Sequence, residues 1–191
     1  MMPPTLIFWV IERLRHSDHS DRFVPGDYTT KGRLAMAYEE LFKKIAAEYG
    51  LDWHLLAEQA YRESRCDPLA VGAASDMGLM QVLPTTWDEW APKVGVFDPF
   101  DPESNVRVGA AYQVWIREQL VKIGRPEYYW VLAAYNWGIG NVLRLLKSGG
   151  TWGQVPKERQ DYANDIILAA EINVLAAELG ADSEVDARVT R

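Results

Sequence analysis

The chain has a single cysteine, Cys66, in 191 residues. No intrachain disulfide can form, and the redox compartment cannot be read from it. With no His nearby in sequence, Cys66 reads as a small buried apolar residue rather than a thiol nucleophile. Basic side chains are also scarce: 20 Lys and Arg stand against 27 Asp and Glu, giving a formal charge of −7. Phosphate backbones require clustered cations, so nucleic acid is excluded as the main partner. There is no apolar run of the roughly 20 residues that a membrane-spanning helix needs. The short run from Leu6 to Ile11 has no preceding Lys or Arg and no small-residue cleavage site, so it makes a poor signal peptide. Only three histidines occur. His16 and His19, with Asp18 and Asp21, lack a third fixed ligand and read as a solvated stretch, and His54 beside Asp52 reads as a surface or cap residue. No metal or cofactor is expected.

What is present is an ordinary globular balance, 48% hydrophobic and 25% charged, in a length that suits one domain with a real core. Eight Trp and nine Tyr are the unusual part. Their flat apolar faces with a polar edge suit cores and sugar clefts alike.

Punctuation divides the chain into helices. Residues 33–49 place Leu34, Tyr38, Leu41, Phe42, Ile45 and Tyr49 on one stripe, stopped by Gly50. Asp52 is the natural N-cap of the next helix, which Cys66-Asp67-Pro68 breaks. Residues 72–83 read as a loop or small β-hairpin. Pro84 opens a short helix. Asp101-Pro102-Glu103 starts a long one reaching toward Gly124. Another runs from Pro126 to Asn136, is interrupted by Gly138 and Gly140, and gives way to Val142–Leu146. The last opens at Pro156 and is closed by Gly180. The expected organisation is an N-terminal extension over 1–32, a mainly α domain over 33–180 and a tail over 181–191.

Glu63 carries the chemistry. Leu56, Ala60 and Glu63 share one helical face, the side that helix would bury. A carboxyl turned into an apolar wall has its ionised form disfavoured and holds a proton near neutral pH, which is how a general acid is made. In isolation, a solvated Glu paired with Arg62 or Arg65 is the plainer reading. The downstream motifs change the balance.

The ordered set Glu63-Ser64, Gly78-Leu79-Met80-Gln81, Ala134-Tyr135-Asn136 and Glu158 with Tyr162 resembles the catalytic domain of soluble lytic transglycosylases, relatives of goose-type lysozyme. The resemblance covers roughly residues 35–175 and implies an all-helical, lysozyme-like fold. It makes Glu63 the single catalytic acid and base. It places Ser64, Gly78, Leu79, Met80, Gln81, Tyr135, Asn136, Glu158 and Tyr162 at the substrate cleft. Gly78 would allow close approach of a sugar, Gln81 would offer its amide to an N-acetyl or hydroxyl group, and Tyr135 would bond the sugar or the Glu63 carboxyl. Ser64 reads equally as a helix-end hydroxyl on its own backbone, and Glu158 equally as a solvated first-turn residue. The implied substrate and partner is peptidoglycan, cut at the β-1,4 bond between N-acetylmuramic acid and N-acetylglucosamine with 1,6-anhydro ends. The implied setting is the periplasm, the cell envelope or a phage particle.

Departures from the family pattern matter as well. Gly72 and Ala73 stand where Ser and Pro are common, Cys66 replaces an aromatic residue, and Leu83 replaces a Met. Arg159 and Gln160 stand where Thr and Arg usually separate Glu158 from Tyr162. Asp76 introduces a second carboxylate close to the cleft. It reads as a turn residue bonding local backbone, or as a water-positioning group that would make the chain a muramidase. A glycan-binding module without catalysis is the remaining alternative, against which the intact Glu63 argues. Trp87, Trp90, Trp137 and Trp152 are candidates for a sugar platform, with helical packing the default for each.

Overall fold

The computed structural model describes residues 31–189, of which the unit from Leu34 onward holds the motifs. The N-terminal segment with Leu6–Ile11, His16 and His19 lies outside the described residues. The architecture is mainly α: α1 (Lys31–Tyr49), α2 (Trp53–Ser64), α3 (Pro84–Val94), α4 (Pro102–Val121), α5 (Tyr128–Trp137), α6 (Ile139–Lys147) and α7 (Lys157–Val189). Between α2 and α3 the chain makes only two isolated antiparallel bridges, Val71 to Met77 and Met77 to Val82. This is the small hairpin-like region expected over 72–83.

The boundaries follow from local chemistry. Asp52 caps α2 by accepting from the His54 N–H at 2.8 Å, and Asp101 caps α4 by accepting from the Ser104 N–H at 2.8 Å. Arg65 and Cys66 turn left-handed after α2, ending it directly beyond Glu63 and Ser64. Two expected breaks do not occur. Gly140 lies inside α6 rather than between helices, and α7 continues through Gly180. A lone glycine costs a helix only about 1 kcal/mol, too little by itself to end one.

The core begins with Phe42, Ile45, Leu56, Ala60, Leu79, Met80 and Val106, all fully buried. A second cluster joins α4, α5 and α6 through Ile116, Leu120, Trp130 and Val142. A third joins α5 to α7 through Leu132, Tyr162, Ala163 and Ile166. These contacts bring the end of α2, the 71–82 loop, the end of α5 and the start of α7 to one place. Cys66 is buried among the first cluster, as its chemistry suggests. Trp87 belongs to the same cluster, and Trp152 packs edge-on against Trp130.

Candidate active site

Glu63 sits one residue before the end of α2, and its carboxyl Oε1 accepts from the Tyr162 hydroxyl of α7 at 2.5 Å. Burial pushes the Glu63 carboxyl up to about 7, and the negative charge of Asp76 adds to the rise; the Tyr162 bond and the cations Arg62 and Arg159 work against it. The result is a carboxyl that exchanges its proton near neutral pH. Burial and the Glu63 charge hold the Tyr162 phenol well above its usual range, so it stays a donor. Gln59, fully buried one turn before Glu63, lies beside that phenol.

The wall facing this carboxyl is the 77–82 loop, and it is held from three helices. The Ser64 hydroxyl has the Leu79 carbonyl at 2.8 Å and the Ala60 carbonyl at 3.1 Å within donating reach, so both readings of Ser64 meet in one group. The Tyr135 hydroxyl donates to the Met80 carbonyl at 3.0 Å. Asn105, buried completely in α4, accepts from the Met80 N–H at 2.7 Å and donates to the carbonyls of Met77 and Pro99, each at 2.8 Å.

Several expectations are corrected by this arrangement. Tyr135 is bonded to the loop backbone, and Tyr162 is the phenol on Glu63. Leu79 and Met80 are fully buried, and the Leu79 carbonyl and both backbone polar groups of Met80 are taken by Ser64, Asn105 and Tyr135, so these two residues shape the loop rather than touch a ligand. Gly78 is required by the protein itself: its φ is +70°, and a Cβ there would lie 2.5 Å from the Asn105 side-chain nitrogen and 2.6 Å from the Pro99 carbonyl. Gln81 donates its amide to the carbonyls of Gly78 at 2.9 Å and Ala70 at 3.2 Å, which leaves its Oε1 rather than its NH₂ for a sugar. Its φ of +44° is costly for a residue with a side chain and is fixed by these two bonds. Glu158 is exposed in the first turn of α7. Leu83 is exposed at the head of α3, which makes it wall rather than core.

Asp76 accepts from the Ala74 N–H at 3.0 Å through Oδ1, the behaviour of a turn residue. Its other oxygen lies over Gly72: a Cβ at Gly72 would come within 2.0 Å of Oδ2. The two departures, Gly72 and Asp76, are therefore one feature, a carboxylate filling the space that a side chain at 72 would take. Asn136, near the end of α5, accepts from the Arg159 guanidinium at 2.6 Å.

Asn105, Arg159 and Gln59 are the site residues that sequence reasoning passed over. The only signal for Asn105 was a polar residue set beside Val106 and Val108 on the apolar side of α4. Arg159 registered only as a replacement for Thr. Gln59 shares with Glu63 the i, i+4 spacing of one helical face.

The site thus sets one buried, near-neutral carboxyl beneath a backbone-clamped loop in a mainly α fold. Residues 40–154 match the Transglycosylase SLT domain, and the chain belongs to that family. It is 41% identical over 136 residues to the membrane-bound lytic murein transglycosylase F of Maricaulis maris, covering 70% of this chain and 29% of that protein. To the protein of the same name from Alcanivorax borkumensis it is 38% identical over 140 residues, covering 70% of this chain and 28% of the relative. The chain thus spans less than a third of the length of these relatives. The lytic transglycosylase Slt of Pseudomonas aeruginosa, solved as an inactive mutant, shares the fold with a TM-score of 0.66 at 24% identity, over 76% of this chain and 25% of that one. The 70 kDa soluble lytic transglycosylase of Escherichia coli superposes with a TM-score of 0.62 at 24% identity, over 74% of this chain and 24% of that one.

Proposed function

We propose that this domain is a peptidoglycan lytic transglycosylase that cleaves the β-1,4 bond between N-acetylmuramic acid and N-acetylglucosamine and leaves 1,6-anhydromuramic ends. The observation that carries the reading is the Glu63 carboxyl, raised to about 7 by burial and hydrogen-bonded by Tyr162. Protonated, Glu63 gives its proton to the leaving glycosidic oxygen as positive charge develops at the muramic C1. Ionised, it is stabilised by the Tyr162 hydroxyl and takes the proton of the sugar's own C6 hydroxyl, which attacks C1 and closes the ring. An intramolecular nucleophile has a high effective molarity, which favours closure over attack by water. One carboxyl with a pKa near the working pH serves both steps.

The sugar contacts in this reading come from the Gln81 Oε1 and the Asn136 side chain. The Maricaulis maris and Alcanivorax borkumensis relatives are called membrane-bound murein enzymes, and the natural setting for this domain is the cell wall in the envelope or periplasm. No helix among the described residues is long and apolar enough to cross a membrane.

A second reading has an observation in its favour. The Asp76 charge reaches Glu63, and a carboxylate there would position water and give muramidase chemistry. Its Oδ1 is committed to the Ala74 N–H, which supports the turn role instead. Mass spectrometry of muropeptides released from purified peptidoglycan, run beside Glu63→Gln, tests both. Anhydro ends that vanish in the variant support the transglycosylase; hydrated reducing ends support the muramidase. Turnover that survives in Glu63→Gln overturns the mechanism.

A further inference from the structure

Arg159 is a cation in the cleft with a neutral partner. Its guanidinium donates to the Asn136 side-chain oxygen at 2.6 Å, and its positive charge reaches the Glu63 carboxyl. A guanidinium carries five N–H donors in a fixed fork, so one bond leaves most of the fork unspent. Among the described residues no carboxylate forms an ion pair with it. Its acidic neighbours in sequence are occupied or turned away, since Asp161 pairs with Lys157 and Glu158 is exposed. Arg159 is itself half-buried. A partly desolvated cation hydrogen-bonded to a neutral amide attracts an anion with the right geometry.

We propose that Arg159, anchored on Asn136, recognises a carboxylate carried by the muramic residue of the glycan. The proposal rests on the peptidoglycan reading above and names what the site selects. Muramic acid differs from its partner sugar by a lactyl ether ending in a carboxyl. On naked strands that carboxyl is free; on strands with peptide stems it is amide-linked, and the stems bring carboxylates of their own. The shared chemistry is a carboxylate matched by a guanidinium fork.

Binding is measured on the Glu63→Gln background, so that cleavage plays no part, with and without Arg159→Gln or Arg159→Lys. The probes are naked glycan strands and stem-bearing strands, each before and after amidation of all carboxyls. The expected result is about tenfold weaker binding in Arg159→Gln for a carboxylate-bearing probe, the size of one charge-assisted hydrogen bond. The loss falls below about twofold on the amidated form and shrinks in high salt as the pair is screened. Arg159→Lys keeps the charge without the fork and falls between. Loss on naked strands assigns the lactyl carboxyl; loss confined to stem-bearing strands assigns the stem. Equal loss on every probe overturns the proposal and leaves Arg159 as a support for Asn136. No loss on any probe, or no binding by the parent, overturns it as well. Charge-selective binding in a chain that releases no anhydro products overturns the transglycosylase reading alone.

Discussion

The hydroxyl of Tyr162 donates to Oε1 of Glu63 at 2.5 Å, joining the end of α2 to the start of α7 across 99 positions of sequence. This bond favours the ionised carboxyl and opposes the burial that favours the protonated one. Tyr162→Phe removes it. The Glu63 carboxyl then rises above about 7, by about one pH unit if the bond is worth about 1.5 kcal/mol. The alkaline limb of the kcat profile, where the acid is lost, moves to higher pH, while kcat at the optimum falls because the anion formed after proton transfer is less stable. A profile that keeps its alkaline limb removes Tyr162 from the acid–base machinery.

Glu63 also has a cost that can be read without substrate. Its folded-state carboxyl lies near 7, above the ordinary 4.5, so the native state binds a proton that the unfolded chain has released. Stability is unpenalised below about 4.5, is lost as pH rises toward about 7, and is flat beyond. Glu63→Gln removes the buried charge, so the variant gains on the parent by up to ~3 kcal/mol at pH 8 and by little at pH 4. Urea midpoints at the two pH values check this. An equal gain at both would mean that the carboxyl is not the source.

Gly72 and Asp76 should behave as a coupled pair. Ser at 72 needs no strained backbone, but its Cβ meets the Asp76 carboxylate that the Ala74 N–H holds in place. Gly72→Ser alone therefore costs ~1–2 kcal/mol, and adding Asp76→Ala recovers most of it. Additive costs in the double-mutant cycle would separate the two positions.

Asn105 is expected to matter more than any residue outside the acid. Asn105→Ala strands the Met80 N–H and the carbonyls of Met77 and Pro99, with a cost of ~3 kcal/mol or more. Hydrogen exchange at the Met80 amide should accelerate with it. Asn105→Asp keeps an acceptor for the Met80 N–H but sets a buried carboxylate against the Met77 and Pro99 carbonyls, and should cost at least as much. A thermal melt unchanged in Asn105→Ala would show that the loop does not depend on this clamp.

Much of this was legible in the chain. Asp52, Asp101 and Gly50 announced their helix ends because capping is a local matter, and Glu63 stood out because one helical face carried it toward the core. The partners of Glu63 were not legible. Tyr135 and Tyr162 both pack into apolar clusters, and only the packing of α7 on α2 decides which phenol reaches the carboxyl. Gly78 looked like room for a sugar, whereas the space is taken by Asn105, which sits 27 positions later. The helix through Gly180 shows the same limit: one glycine costs too little to fix a helix end by itself.

The clamp on the 77–82 loop has a further consequence. Ser64, Tyr135 and Asn105 grip it through the main chain, from three different helices, and apart from the glycine that Asn105 needs at 78 the grip does not depend on which side chains the loop presents. Holding thus falls mainly to side chains outside the loop. Substitutions on the touching side, such as Asp76 or Leu83, can retune which wall material the cleft accepts without loosening the frame that aims the acid, and this leaves room for closely related chains to diverge in diet while keeping one reaction.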